Sequence, residues 1–193
     1  EFRWLIGCVP VGEQVSAPHI VRAGAVIDGT GRPPFRDAAV HVENGRITYA
    51  GPAAQAPPTP PDAATIDLGD RTLLPGLIDC HAHPVPFRGL DSIAGEDTPE
   101  LRVLYGAQVL REALYSGVTT FRDCGAPHTS SFALRAAVDN GYVPGPRIVA
   151  AGPIMCPSGG HGHDLGGEAD GADGTRRKAR LIFKDGADFI KVT

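Results

Sequence analysis

The sequence has no long apolar run, no excess of basic charge and no paired-cysteine motif, and each absence removes a class of function. No stretch approaches the roughly 18 apolar residues needed to span a bilayer. Lys and Arg number 18 against 22 Asp and Glu, a net charge of −4. That balance excludes the basic footprint of a nucleic-acid binder and any polybasic attraction to an anionic membrane. The four cysteines, Cys8, Cys80, Cys124 and Cys156, include no CxxC pair, so neither a zinc knuckle nor a disulfide framework is indicated. Free thiols in a reducing, cytoplasmic compartment are the direct reading. The alternative is export: Leu5-Ile6-Gly7-Cys8 matches a lipoprotein cleavage box, which would anchor the chain at Cys8, although the apolar run around it is too short for a signal-peptide core. The glycine cluster Gly159-Gly160-His161-Gly162 lacks the Lys-Ser/Thr of a P-loop.

What is present is a core-forming composition, 42% hydrophobic, with enough Gly and Pro (25 and 18 residues) to imply many tight turns. Residues 1–17 read as a flexible N-terminal segment and 18–75 as a small β module. Residues 20–27 are strand-like. Residues 38–43 and 46–50 flank Asn44-Gly45, a hairpin signal because both turn residues must take positive φ. The Ala/Pro-rich stretch 52–63 reads as a loop.

The pattern then changes to strand–helix alternation. Leu73 to Cys80 is a nearly continuous apolar run, the mark of a strand buried on both faces. Thr98 is a candidate N-cap with Pro99 in the first turn, and Leu101, Leu104, Ala107, Leu110 and Leu114 repeat at helical spacing as a core stripe. Strands are expected at 118–121, 147–151 and 188–192, and helices at 130–140 and 175–185, with a long glycine-rich loop over 152–174. Such βαβαβαβ alternation predicts a parallel sheet covered by helices. The fold class is therefore α/β: the β module followed, over 76–193, by the first four βα units of a (β/α)8 barrel. A complete barrel takes about 250 residues, so the chain is expected to be a fragment whose remaining half comes from elsewhere.

The sharpest signal is Leu74-Pro75-Gly76-Leu77-Ile78-Asp79-Cys80-His81-Ala82-His83-Pro84. A His-x-His pair at a strand end puts two imidazoles on one face, and two neutral imidazoles suit a divalent ion such as Zn²⁺. In a βα barrel that strand end is the active-site end. Asp79 reads either as a partner orienting the ligand strand or as a backbone cap, and Arg122-Asp123 as a structural ion pair.

This run, with Gly117-Val118-Thr119-Thr120-Phe121-Arg122-Asp123 and Gly186-Ala187-Asp188-Phe189-Ile190-Lys191, resembles the metal-dependent amidohydrolase superfamily. The likeness is nearest to its imidazolonepropionase-related and prolidase-like dipeptidase branch. The resemblance implies His81 and His83 as metal ligands and Lys191 as a third, in the form of a carbamate made with CO₂. It implies one or two Zn²⁺-like ions, a metal-bound hydroxide attacking an amide carbonyl, and His161 holding a substrate carboxylate or scissile carbonyl. It places the general base, an aspartate, beyond residue 193, so residues 1–193 alone are expected to be inactive. A small-molecule or dipeptide substrate is implied, with a cyclic amide or imidazolone as the rival. The partners expected are the rest of the barrel and another copy of the chain in a homo-oligomer. A non-catalytic binding protein of the same fold is the reading from a different class.

Overall fold

The computed structural model describes residues 18–85 and 98–193. The N-terminal segment 1–17 and the Cys8 box lie outside them. Among the described residues, Cys80, Cys124 and Cys156 are free thiols, and no helix is long and apolar enough to cross a membrane. The chain divides into two units, one running through Pro75 and the other from Gly76 to Thr193.

The first unit is a five-stranded sheet. Strands β1 (His19–Val26), β2 (Phe35–Glu43) and β3 (Arg46–Pro52) form an antiparallel meander. The hairpin between β2 and β3 turns on Asn44 (φ 51°) and Gly45 (φ 72°), the two positive angles that the Asn-Gly pair announces. Two short strands that the sequence pattern does not announce, β4 (Ala64–Asp67) and β5 (Thr72–Leu73), pair parallel with β1. Val21, Ala23 and Val26 of β1 meet Ala38 and Val40 of β2 in the core of this sheet.

The second unit alternates strand and helix: β6 (Leu77–Ala82), α1 (Pro99–Tyr115), β7 (Val118–Asp123), α2 (Ser130–Asp139), β8 (Arg147–Ala150) and α3 (Gly171–Lys184). The strands pair in parallel in the order β6-β7-β8. Thr98 caps α1 as expected, its Oγ1 accepting from Leu101 N at 3.3 Å. Leu110, Phe121, Phe132, Leu134, Ile148 and Val85 form the core between helices and sheet.

Burial and element bounds differ from the expected ones in four places. The run Leu73–Cys80 is not one doubly buried strand. Pro75-Gly76 breaks it, Leu73 belongs to the first unit, and Leu77 and Ile78 are 52% and 64% exposed. Among the described residues β6 pairs with β7 alone. The buried stripe of α1 is rotated from the one expected. Leu104 is 68% exposed, and Val103, Ala107, Leu110 and Ala113 face the core. The helix approaches α2 through Gly106, where a Cβ would come within 2.7 Å of Leu134 Cδ1. Helix α3 begins at Gly171 rather than 175. Finally, residues 188–192 do not form a regular strand. Asp188 N donates to Ala150 O at 2.8 Å, Met155 N to Lys191 O at 2.9 Å, and Val192 makes one parallel bridge to Met155. The Asp188 carboxylate takes over the ladder's work: its Oδ2 accepts from Ala150 N at 2.8 Å and from Arg135 Nη1 at 2.6 Å.

Candidate functional site

The His-x-His pair sits at the C-terminal end of β6. Its orientation follows from a register irregularity: Asp79 lies opposite Phe121 and Ala82 opposite Asp123, so three residues of β6 span the distance of two on β7. Bulges of this kind re-aim side chains next to active sites. Ala82 packs against the helix-side core, so His81 and His83 on either side of it project to the other face. Their ring centroids are 5.5 Å apart with the planes at 68°. Asp79 acts as a backbone cap, its Oδ1 accepting from His81 N at 3.1 Å.

His83 is oriented from below. Its Nδ1 lies 2.9 Å from the Gly125 carbonyl oxygen. A carbonyl can only accept, so Nδ1 carries the proton and the lone pair of the neutral ring lies on Nε2, the nitrogen that could bind a metal. Gly125 can sit there because it has no side chain. Its φ is 146°, and a Cβ would fall 2.4 Å from Ile154 Cγ1 and 3.7 Å from His83 Cε1.

Beside this contact lies Asp123, which is 0% exposed. Its Oδ1 accepts from Gly125 N at 3.0 Å and is 4.0 Å from His83 Nδ1. Burial pushes its pKa up from 3.8 to about 6, against the downward pull of the Gly125 N–H and the Ser131 hydroxyl. Asp123 Oδ2 and Ser131 Oγ each lack a hydrogen-bond partner in ordinary geometry, although the hydroxyl dipole is near enough to favour the carboxylate. The expected Arg122–Asp123 ion pair does not form. Consecutive strand residues point to opposite faces: Arg122 Nη1 donates to Cys80 O at 3.2 Å and its guanidinium lies 4.0 Å from the Phe189 ring centroid. Period-two alternation already separates the two side chains, and it is the signal by which a buried Asp123 could have been found.

The second histidine cluster is better anchored than a free glycine-rich loop. Ser158 N donates to Asp170 Oδ1 at 3.1 Å, the Ser158 hydroxyl donates to Asp170 Oδ2, and Gly159 N donates to Glu168 Oε1 at 2.8 Å. The Ser158 bonds hold the Asp170 carboxyl below its usual range. His161 is exposed, and its carbonyl accepts from Thr193 Oγ1 at 2.8 Å. With His163, Asp164 and Ile154 it borders a cavity of about 610 Å³. Ile154 is the link to the first cluster, since it packs against Gly125 on one side and, 3.3 Å from the position of a Cβ, against Gly162 on the other. Both histidine clusters lie at or after the C-terminal ends of strands, β6 for the first and β8 for the second.

Lys191 is half-buried, and its backbone lies beside Met155, the residue after Ile154. Among the described residues, no group of three His, Cys, Asp or Glu is placed to hold a metal ion. The imidazole pair fits one corner of such a site, with two nitrogen donors of the three or four that zinc takes from a protein.

A profile of the amidohydrolase family matches residues 72–193, more than half of the chain. The chain belongs to the amidohydrolase family. Ochratoxinase from Aspergillus niger is 29% identical over 204 residues, covering 90% of this chain and 41% of that protein. Imidazolonepropionase from Rhizorhabdus wittichii is 49% identical over 61 residues, 32% of this chain and 15% of that protein. Among solved structures, a Xaa-Pro dipeptidase with bound methionine superposes with a TM-score of 0.81 at 26% identity, covering 91% of this chain and 47% of that one. A prolidase complexed with N-methylphosphonate-L-proline gives 0.78 at 26% identity, covering 91% and 46%. The chain thus spans under half the length of these relatives, and its α/β architecture matches about half of the solved folds, with a small β-rich module ahead of the βα units.

Proposed function

We propose that this family member is a metal-dependent hydrolase of amide C–N bonds with a prolidase-like, dipeptide substrate. The observation that carries the reading is the pair His81 and His83 at one strand end, with His83 Nδ1 donating to Gly125 O at 2.9 Å. In this reading residues 76–193 are the first βα units of the barrel, and His81 and His83 hold a Zn²⁺-like ion through their imidazole nitrogens. Lys191 would join them as its carbamate: the amine nitrogen bonds to the carbon of CO₂, one C=O π pair moves onto oxygen to give the anion, and the displaced N–H proton goes to solvent. A bound cation would supply Lewis acidity toward water and the amide carbonyl. His161, on the wall of the cavity, holds the substrate carboxylate or the scissile carbonyl. The general base is an aspartate outside residues 1–193.

The likeness to prolidase and Xaa-Pro dipeptidase structures supports the dipeptide substrate. A second reading, a cyclic-amide or imidazolone hydrolase, is favoured by the 49% identity to imidazolonepropionase. The test is a hydrolysis screen of the full-length protein against Xaa-Pro dipeptides, N-acyl amino acids and cyclic amides. Turnover of dipeptides that is lost in His81→Ala supports the proposal. Turnover confined to cyclic amides supports the second reading, and binding without turnover of any of them contradicts both.

A further inference from the structure

We propose that Asp123 is a positioning residue for His83, acting through the Gly125 peptide rather than by direct contact. This rests on the reading of His83 as a metal ligand. Asp123 Oδ1 is 4.0 Å from His83 Nδ1, too far for a hydrogen bond. It is 3.0 Å from Gly125 N, and the carbonyl of the same residue is 2.9 Å from His83 Nδ1. Gly125 is therefore held at both ends, by a carboxylate at its N–H and by an imidazole at its oxygen. Ile154 closes the third side, leaving no room for a Cβ.

The arrangement is costly unless it does something. Asp123 is fully buried, one of its oxygens has no hydrogen bond of ordinary geometry and only the Ser131 hydroxyl dipole near it, and the neighbouring Arg122 is turned away to Cys80 O and Phe189. A buried carboxylate with so little compensation disfavours folding, and an apolar side chain of similar volume would relieve that cost. What an apolar residue cannot supply is an acceptor for Gly125 N–H. Without that acceptor the Gly125 peptide can rotate and the carbonyl leaves Nδ1, so the bond that sets the Nδ1–H tautomer is lost. Fixing the tautomer and plane of a metal-ligating histidine through its other nitrogen typically changes metal affinity by about 10–100-fold.

The test uses the full-length protein with ¹⁵N-labelled histidine, first freed of metal by chelation. In the wild type, the His83 nitrogen shifts are those of the neutral Nδ1–H tautomer. A wild-type Nε2–H tautomer overturns the proposal without any variant. Asp123→Asn keeps an oxygen that accepts from Gly125 N–H, and it keeps both the tautomer and a zinc affinity close to the wild-type value, measured by competition with a chromophoric chelator. Asp123→Leu fills the space without an acceptor. It gives mixed tautomers and a zinc affinity about 10–100-fold weaker. An unchanged His83 tautomer in Asp123→Leu, or an Asn variant that behaves like the Leu variant, overturns the proposal. If the wild-type protein binds no zinc, the metal reading fails, while the tautomer measurement still decides whether Asp123 positions His83.

Discussion

Replacing Gly125 by alanine tests the geometry beneath His83 with a single methyl group. Two costs combine. The φ of 146° is closed to ordinary side chains, and holding such a conformation costs about 1–3 kcal/mol. The new Cβ would also fall 2.4 Å from Ile154 Cγ1 and 2.7 Å from Cδ1, an overpacking that costs about 1–3 kcal/mol more. Gly125→Ala is therefore expected to destabilise by about 2–6 kcal/mol, a large part of the roughly 5–15 kcal/mol that holds a typical domain folded. Gly159→Ala is the control, because its φ is also positive (71°) but no atom lies within 4 Å of its Cβ position. It should lose only about 1–2 kcal/mol. Urea denaturation of both variants, with the slope checked for constancy, measures the difference. Trimming Ile154 to alanine in the Gly125→Ala background should recover part of the loss, a coupling that a double-mutant cycle isolates. If Gly125→Ala is no less stable than Gly159→Ala, the packing described around His83 is wrong.

Two further expectations concern carboxylates. In chelator-treated protein, the rise of the Asp123 pKa from 3.8 to about 6 means that the native state holds a proton the unfolded chain has released. This contribution to stability is intact below pH 3.8 and is lost as pH rises through about 6, a change of ~3 kcal/mol. Denaturant titrations between pH 4 and 8 should show this fall in the wild type and a flatter curve in Asp123→Asn; equal slopes would refute it. Asp170 has the opposite sign. Its carboxyl is held below the usual range by Ser158, so the bonds to Ser158 persist through mildly acidic pH and fail only below it. Asp170→Ala should accelerate hydrogen exchange at the Ser158 amide at neutral pH, and unchanged exchange would show that Asp170 does not anchor the loop.

The parts of the fold that the sequence announces are those set by nearest neighbours along the chain. Asn44-Gly45 demands two positive φ angles whatever surrounds it. Thr98-Pro99 starts a helix by bonds within its own first turn. The His-x-His spacing alone puts two rings on one face. Most of the differences depend on residues distant in sequence. Leu77 and Ile78 look like buried strand residues, but burial needs side chains packed over the face, and among the described residues both stay exposed. Leu104 fits a helical stripe, but the close approach of α1 to α2 at Gly106 rotates the buried face toward Val103. The segment 188–192 has strand character, but the Asp188 side chain replaces part of its ladder with bonds to Ala150 and Arg135. At the site, the two histidines stand out in the sequence while their support does not. The bulge before Ala82 and the contact from Asp123 through Gly125 to His83, 42 residues from Gly125 along the chain, exist only in the folded chain.

The most direct measurement is the metal content of the purified full-length protein and of its His81→Ala, His83→Ala and Lys191→Ala variants, by elemental analysis after extensive dialysis. The account predicts one or two equivalents of a zinc-like divalent ion in the wild type and a clear loss in each variant, with the fold retained by circular dichroism. Full metal occupancy in all three variants would contradict it.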